Sequence, residues 1–123
     1  ILKGMNFLCA EDNEINAEIL EELLKMEGAT CTICNDGEKI VEAFKESNDY
    51  DATLMDVQMP VMKGYEATKL IREMDKKITI IAMTANTFSE DIQHSLDAGM
   101  NAHVSKPVDM KVLKKTIFDL KNN

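Results

Sequence analysis

The sequence predicts an α/β protein, a mainly parallel sheet with helices on both faces. Three observations carry this. Short apolar, β-branched runs alternate with segments whose apolar residues recur every three to four positions. The connections between strand and helix are short, which favours parallel strands joined by right-handed crossovers. One run, Ile78 to Met83, is almost wholly apolar, as a strand covered on both faces must be.

The elements follow in order. Met5 to Ala10 reads as a first strand. Ile15, Ile19, Leu23 and Met26 then repeat at helical spacing, with Leu20 and Leu24 widening the apolar stripe, and Gly28 closes that helix. Thr30 to Cys34 is a β-branched second strand. Asn35-Asp36-Gly37 is a turn and N-cap for a helix carrying Ile40, Val41 and Phe44, broken at Asn48-Asp49. Ala52 to Met55 is the third strand, followed by a helix from about Tyr65 to Met74 with Leu70, Ile71 and Met74 turned inward. After the fourth strand, Ser89 caps a helix bearing Ile92 and Leu96 that Gly99 ends. Ala102 to Val104 is a short fifth strand, and Asp109 caps a last helix with Met110, Leu113, Ile117 and Leu120 on one face. Five β/α units in 123 residues make one domain, residues 1–123, with helices covering both sheet faces.

Composition narrows the function classes. The 45% hydrophobic and 29% charged content is that of an ordinary globular chain. A net charge of −8 argues against nucleic-acid binding by this segment, because phosphate backbones attract basic surfaces. No apolar run is long enough to span a bilayer, so no membrane contact by the domain itself is expected. No signal peptide is evident, and the start at Ile1 points to a piece of a longer protein. Cys31 and Cys34 have C-x-x-C spacing on a strand, where residues three apart face opposite ways, so neither a metal nor a disulfide would join them. Cys9, Cys31 and Cys34 therefore read as structural, and a reducing cytoplasm fits them.

The chemistry is concentrated at four strand ends. Glu11-Asp12 follows the first strand, Asp56 ends the third, Thr84 the fourth, and Lys106-Pro107 follows the fifth. In open α/β sheets, ligands bind at the carboxyl ends of the strands. Each group has a plain alternative. An acid pair before a helix caps it and suits its dipole. Asp56 could start a turn, Thr84 could be structural, and Lys106-Pro107 could be a surface turn with a cis bond. Together they supply what phosphoryl transfer needs. An Asp carboxylate is a nucleophile for an activated phosphoryl group. Carboxylates suit Mg²⁺. A lysine and a hydroxyl can meet the phosphoryl oxygens, since this catalysis is mainly positioning and charge neutralisation.

The ordered set Glu11-Asp12-Asn13, Met55 to Met62 with Gly64, Met83-Thr84-Ala85 and Ser105-Lys106-Pro107 resembles the receiver domain of two-component response regulators over essentially the whole chain. The resemblance implies a flavodoxin-like, doubly wound five-stranded parallel sheet in order 2-1-3-4-5 with five helices. It implies that Asp56 accepts a phosphoryl group from a phosphohistidine of a histidine kinase or histidine phosphotransfer domain. It implies a Mg²⁺ cofactor held by Asp12, Asp56 and the backbone carbonyl of Gln58, with Glu11 acting through water. Thr84 and an aromatic residue on the fifth strand form the family's switch. His103 takes that place where Tyr or Phe is usual, and a plain surface histidine at a strand edge is the alternative. Gln58 and Asn86 stand where the family tunes the lifetime of the aspartyl phosphate. Lys63 replaces the Asp common before Gly64, which weakens the cap of the following helix without touching the chemistry.

The stretch Glu11 to Asn16 looks most like receivers fused to hybrid sensor histidine kinases. The implied setting is a cytoplasmic domain whose parent is either soluble or membrane-anchored, and the surface near Ile15 and Asn16 is the implied docking place. Such a domain assists its own phosphorylation and dephosphorylation, so whether it is an enzyme stays open. A degenerate receiver that binds partners without phosphorylation is the alternative. An aspartyl-phosphate hydrolase fits less well, because it wants an Asp where Gln58 stands.

Overall fold

The computed structural model describes residues 2–47, 49–57, 64–84, 89–106 and 108–121, with the side chains of 89–92 left aside. Five strands alternate with five helices: β1 (Asn6–Ala10), α1 (Glu14–Met26), β2 (Thr30–Cys34), α2 (Gly37–Glu46), β3 (Ala52–Asp56), α3 (Gly64–Met74), β4 (Thr79–Thr84), α4 (Ser89–Ala98), β5 (Ala102–Ser105) and α5 (Met110–Lys121). All pair in parallel, in order β2-β1-β3-β4-β5. The order reverses between β1 and β3, so a crevice opens above their carboxyl ends.

The sheet divides the core in two. On one face Leu8, Ala10, Met55, Ile80 and Ala82 meet Ile40, Val41 and Phe44 of α2 and Ala67 and Ile71 of α3. On the other, Phe7, Cys9, Leu54, Ile81 and Met83 meet Leu20 and Leu24 of α1 and Leu113 and Ile117 of α5. Every residue of β3 is buried, which follows from its central place between β1 and β4. Cys31 lies on the α1 side and Cys34 on the α2 side, so the expectation of opposite faces holds.

Capping by Asp36 matches the sequence, whereas α1 is capped by Asn13 rather than by the acid pair before it. The side chains of Asn13 and Asp36 accept hydrogen bonds from Asn16 N and Lys39 N at the starts of α1 and α2. Gly28 and Gly99 follow α1 and α4 with positive φ. Ser89 is the first residue of α4, its side chain is left aside, and the Asn48 break lies outside the described residues.

One inward assignment, that of Met74, is corrected, and the apolar stripes of α1 and α4 are only partly buried. Ile15, Ile19 and Met26 are exposed, at 69%, 51% and 81%, while Leu20 and Leu24 are buried. The two apolar sets lie roughly a third of a turn apart on α1, and only one can face the sheet. Met74 is 42% exposed because the last turn of α3 runs past the core, where it borders a cleft with Phe44 and Asp75. Leu96 is 49% exposed, and among the described side chains of α4 Ser95 and Ala98 are the buried ones.

Arg72 was not anticipated. Its guanidinium donates from Nε to Gly99 O and from Nη2 to Asn101 Oδ1, both at 2.8 Å. The same Asn101 oxygen accepts from Ile80 N at 2.8 Å, so one knot ties α3 to the α4–β5 turn and to β4.

Candidate functional site

The site stands above the β1–β3 crevice. Past the end of β1, Glu11 N donates to Cys34 O at 2.9 Å, which holds the chain against β2 and aims Glu11 into the crevice, where it is 4% exposed. Asn13 N donates to Glu11 Oε2 at 3.3 Å. Asp12 beside it is exposed. Asp56 is the last residue of β3 and is 1% exposed. Its backbone is fixed from the β4 side by the Asp56–Met83 register and by Val57 N donating to Met83 O at 3.2 Å.

Lys106 follows β5 and reaches back across two strands. Lys106 N donates to Thr84 O at 2.9 Å, tying it to the end of β4. Its ammonium lies 2.7 Å from Asp56 Oδ2 and 3.2 Å from Glu11 Oε1. Burial works against the charge on Lys106, but Asp56 and then Glu11 outweigh it, and the ammonium is held above its ordinary range. Glu11 is pushed up, first by burial and further by the Asp56 carboxylate; the Asn13 amide and Lys106 oppose this without cancelling it.

Carboxylate oxygens of Glu11, Asp12 and Asp56 all lie within 4.8 Å of one another. Among the described residues three acids face one ammonium, which leaves them an excess of negative charge. Oxygen-only donors, two buried and one open to solvent, suit a hard divalent cation that keeps some of its waters. The donor set therefore fits Mg²⁺.

The structure brings Glu11, Asp12, Asp56 and Lys106 together, and ends β4 with Thr84 at the same rim. His103 is half-buried on β5 opposite Ala82, and Thr84 pairs with Ser105. Side chains two apart on a strand share a face, so His103 and Thr84 belong to the same side of the sheet. Gln58, Asn86 and Lys63 lie outside the described residues.

One residue gained a role that its place in the motif did not give. Gly64, the first residue of α3, lies directly on the backbone of Asp56 and Val57. A glycine as the first residue of a helix, where a better helix former ordinarily stands, was the available signal.

This architecture and acidic rim define a class, and comparison with known proteins assigns it. The sequence profile of the response regulator receiver domain matches residues 7–118, and the chain belongs to that family, the receiver domains of two-component phosphorelays. Hybrid signal transduction histidine kinase I of Dictyostelium discoideum is 38% identical over 89% of this chain, which spans 7% of that protein. Sensor histidine kinase RcsC of Escherichia coli is 36% identical over 92% of the chain, which spans 12% of it. Among solved structures, the receiver domain of sensor histidine kinase PA1611 from Pseudomonas aeruginosa, with a magnesium ion in its active-site cleft, is 37% identical. It covers 91% of this chain and 93% of its own, with a TM-score of 0.83. The receiver domain of Saccharomyces cerevisiae Ssk1, solved with the histidine phosphotransfer protein Ypd1, is 31% identical with a TM-score of 0.86, covering 95% of this chain and 88% of that one.

Proposed function

We propose that Asp56 accepts a phosphoryl group from a phosphohistidine, and that residues 1–123 form one receiver unit of a longer, hybrid-kinase-like protein working in the cytoplasm. The observation that carries this is the placement of Asp56: buried at the end of a central strand, 2.7 Å from Lys106, and within reach of two more carboxylates. An Asp Oδ attacks phosphorus, the histidine N–P bond breaks, its electron pair returns to the imidazole, and the imidazole takes up a proton. The product is an acyl phosphate on Asp56.

Asp12 and Asp56, with the Gln58 carbonyl and Glu11 through water, would hold Mg²⁺, which supplies neutralisation of the phosphoryl oxygens. Lys106 trades its contact with Asp56 for one with a phosphoryl oxygen, so its charge is already in place when transfer occurs. Thr84 donates its hydroxyl to the same group, and His103, on the same side of the sheet, repacks behind it.

The donor docks on the exposed side of α1. Ile15 and Asn16 are open to solvent there, and a groove of about 550 Å³ runs from Glu11 and Lys106 past Asn16 and Ile19 to Val108. The partner is a histidine kinase or histidine phosphotransfer domain. The complex of Ypd1 with the Ssk1 receiver supports a partner of this chemistry.

The test is intact mass after incubation with acetyl phosphate and Mg²⁺. One added phosphoryl group is expected, absent in Asp56→Asn and without Mg²⁺. Incorporation that persists in Asp56→Asn would move the acceptor elsewhere. No incorporation from acetyl phosphate or from a phosphohistidine protein would leave a receiver that acts without phosphorylation.

A further inference from the structure

We infer that Gly64 is a positioning residue for the acceptor: the missing side chain lets the start of α3 seat against the main chain of Asp56 and so fixes where its carboxylate stands. This rests on Asp56 being the acceptor. A Cβ built on Gly64 would overlap the Asp56 carbonyl oxygen, and it would lie 2.9 Å from Val57 Cα and 3.1 Å from the Asp56 carbonyl carbon. These are backbone atoms, so no side chain can swing aside to make room.

The backbone of residue 56 is also held from the β4 side by its register with Met83 and by the Val57 N to Met83 O bond. It therefore sits between β4 and the first residue of α3. Any substituent at 64 must push α3 outward or push residue 56 along the crevice. Gly64 is buried, and Ala67, Thr68 and Ile71 anchor the same helix in the core, which resists outward movement of α3. Displacement of Asp56 remains, and it changes the 2.7 Å contact with Lys106 and the approach of the Glu11 and Asp12 oxygens.

Gly99 supplies a matched control far from the site. A Cβ there would meet Arg72 Cγ at 2.9 Å, and the positive φ of 110° adds backbone strain. Gly99→Ala should cost stability without moving Asp56.

The experiment compares wild type, Gly64→Ala and Gly99→Ala in three readouts, each normalised to folded protein. Trimethylamine N-oxide is added to any variant that does not fold unaided. The first is the rate of phosphoryl incorporation at saturating acetyl phosphate. Gly64→Ala should lose about tenfold or more, since a displacement of about 1 Å can cost up to 10²-fold. The second is the Mg²⁺ dissociation constant by calorimetry, which should rise several-fold. The third is the ¹⁵N resonance of the Lys106 ammonium in metal-free buffer, which should shift with its Asp56 contact. Gly99→Ala should match wild type in all three. Equal values for Gly64→Ala and wild type would overturn the inference and leave Gly64 a purely structural residue. Equal losses in both variants would overturn it too. If wild type takes up no phosphoryl group from acetyl phosphate or from a phosphohistidine protein, the acceptor reading fails separately, and the Lys106 resonance still decides the position of Asp56.

Discussion

Replacing Lys106 by alanine tests the electrostatics of the site directly. Its ammonium is 2.7 Å from Asp56 and 3.2 Å from Glu11, whose side chains are 2% and 4% exposed. Removing one partner of a buried ion pair costs about 3–5 kcal/mol, because the other charge stays buried and unpaired. Lys106 is itself 21% exposed, so water recovers part of that, and a loss of about 2–3 kcal/mol is expected.

Urea unfolding at pH 7 with a chelator reads this as a midpoint lowered by about 1–2 M. The pH dependence has a definite sign. Glu11 is raised from its ordinary 4.5, chiefly by burial. The stability it contributes is fully present below 4.5 and is lost as pH rises through the raised value. Without Lys106 that loss grows, so the gap between Lys106→Ala and wild type opens from acid towards neutral pH. In an Asp56→Asn background the same substitution should cost clearly less, since one of the two carboxylates is gone. Equal midpoints at pH 7, a gap that persists unchanged in acid, or additive effects of the two substitutions would refute the reasoning.

Two other predictions bear on the site and on the core. Mg²⁺ at about tenfold its dissociation constant should stabilise the folded chain by about 1.4 kcal/mol. Scanning calorimetry should show a Tm rise of roughly 3–6 °C, reduced in Asp12→Asn, because the three carboxylates repel one another until a cation joins them. An unchanged Tm would mean that the cluster holds no divalent cation. In the core, Thr53 Oγ1 and Thr68 Oγ1 are buried with no hydrogen-bond partner among the described residues. Thr53→Val and Thr68→Val should each add about 1 kcal/mol, seen as higher urea midpoints; a loss would show that the hydroxyls are satisfied.

The strand ends were legible because each carries a local signature. Asp56 closes an apolar run, Glu11-Asp12 precedes a capped helix, and Lys106 follows a short strand. Helix orientation was less legible. Ile15, Ile19 and Met26 repeat as regularly as the buried Leu20 and Leu24, and periodicity marks an apolar stripe without saying what covers it. Among the described side chains of α4 the buried ones are Ser95 and Ala98, small residues that carry little hydrophobic signal.

By itself the sequence determined the number and order of the elements, the parallel sheet, and the residue types gathered at one rim. These follow from local periodicity, short connections and the handedness of crossovers, all written along the chain. Only the tertiary structure decided that Lys106 reaches both Asp56 and Glu11, that Gly64 abuts the acceptor's backbone, and that Arg72 binds the α4–β5 turn. Those contacts join residues distant in sequence, from 8 positions for Gly64 and Asp56 to 95 for Lys106 and Glu11. Their distances depend on strand register and helix packing, which no local pattern specifies.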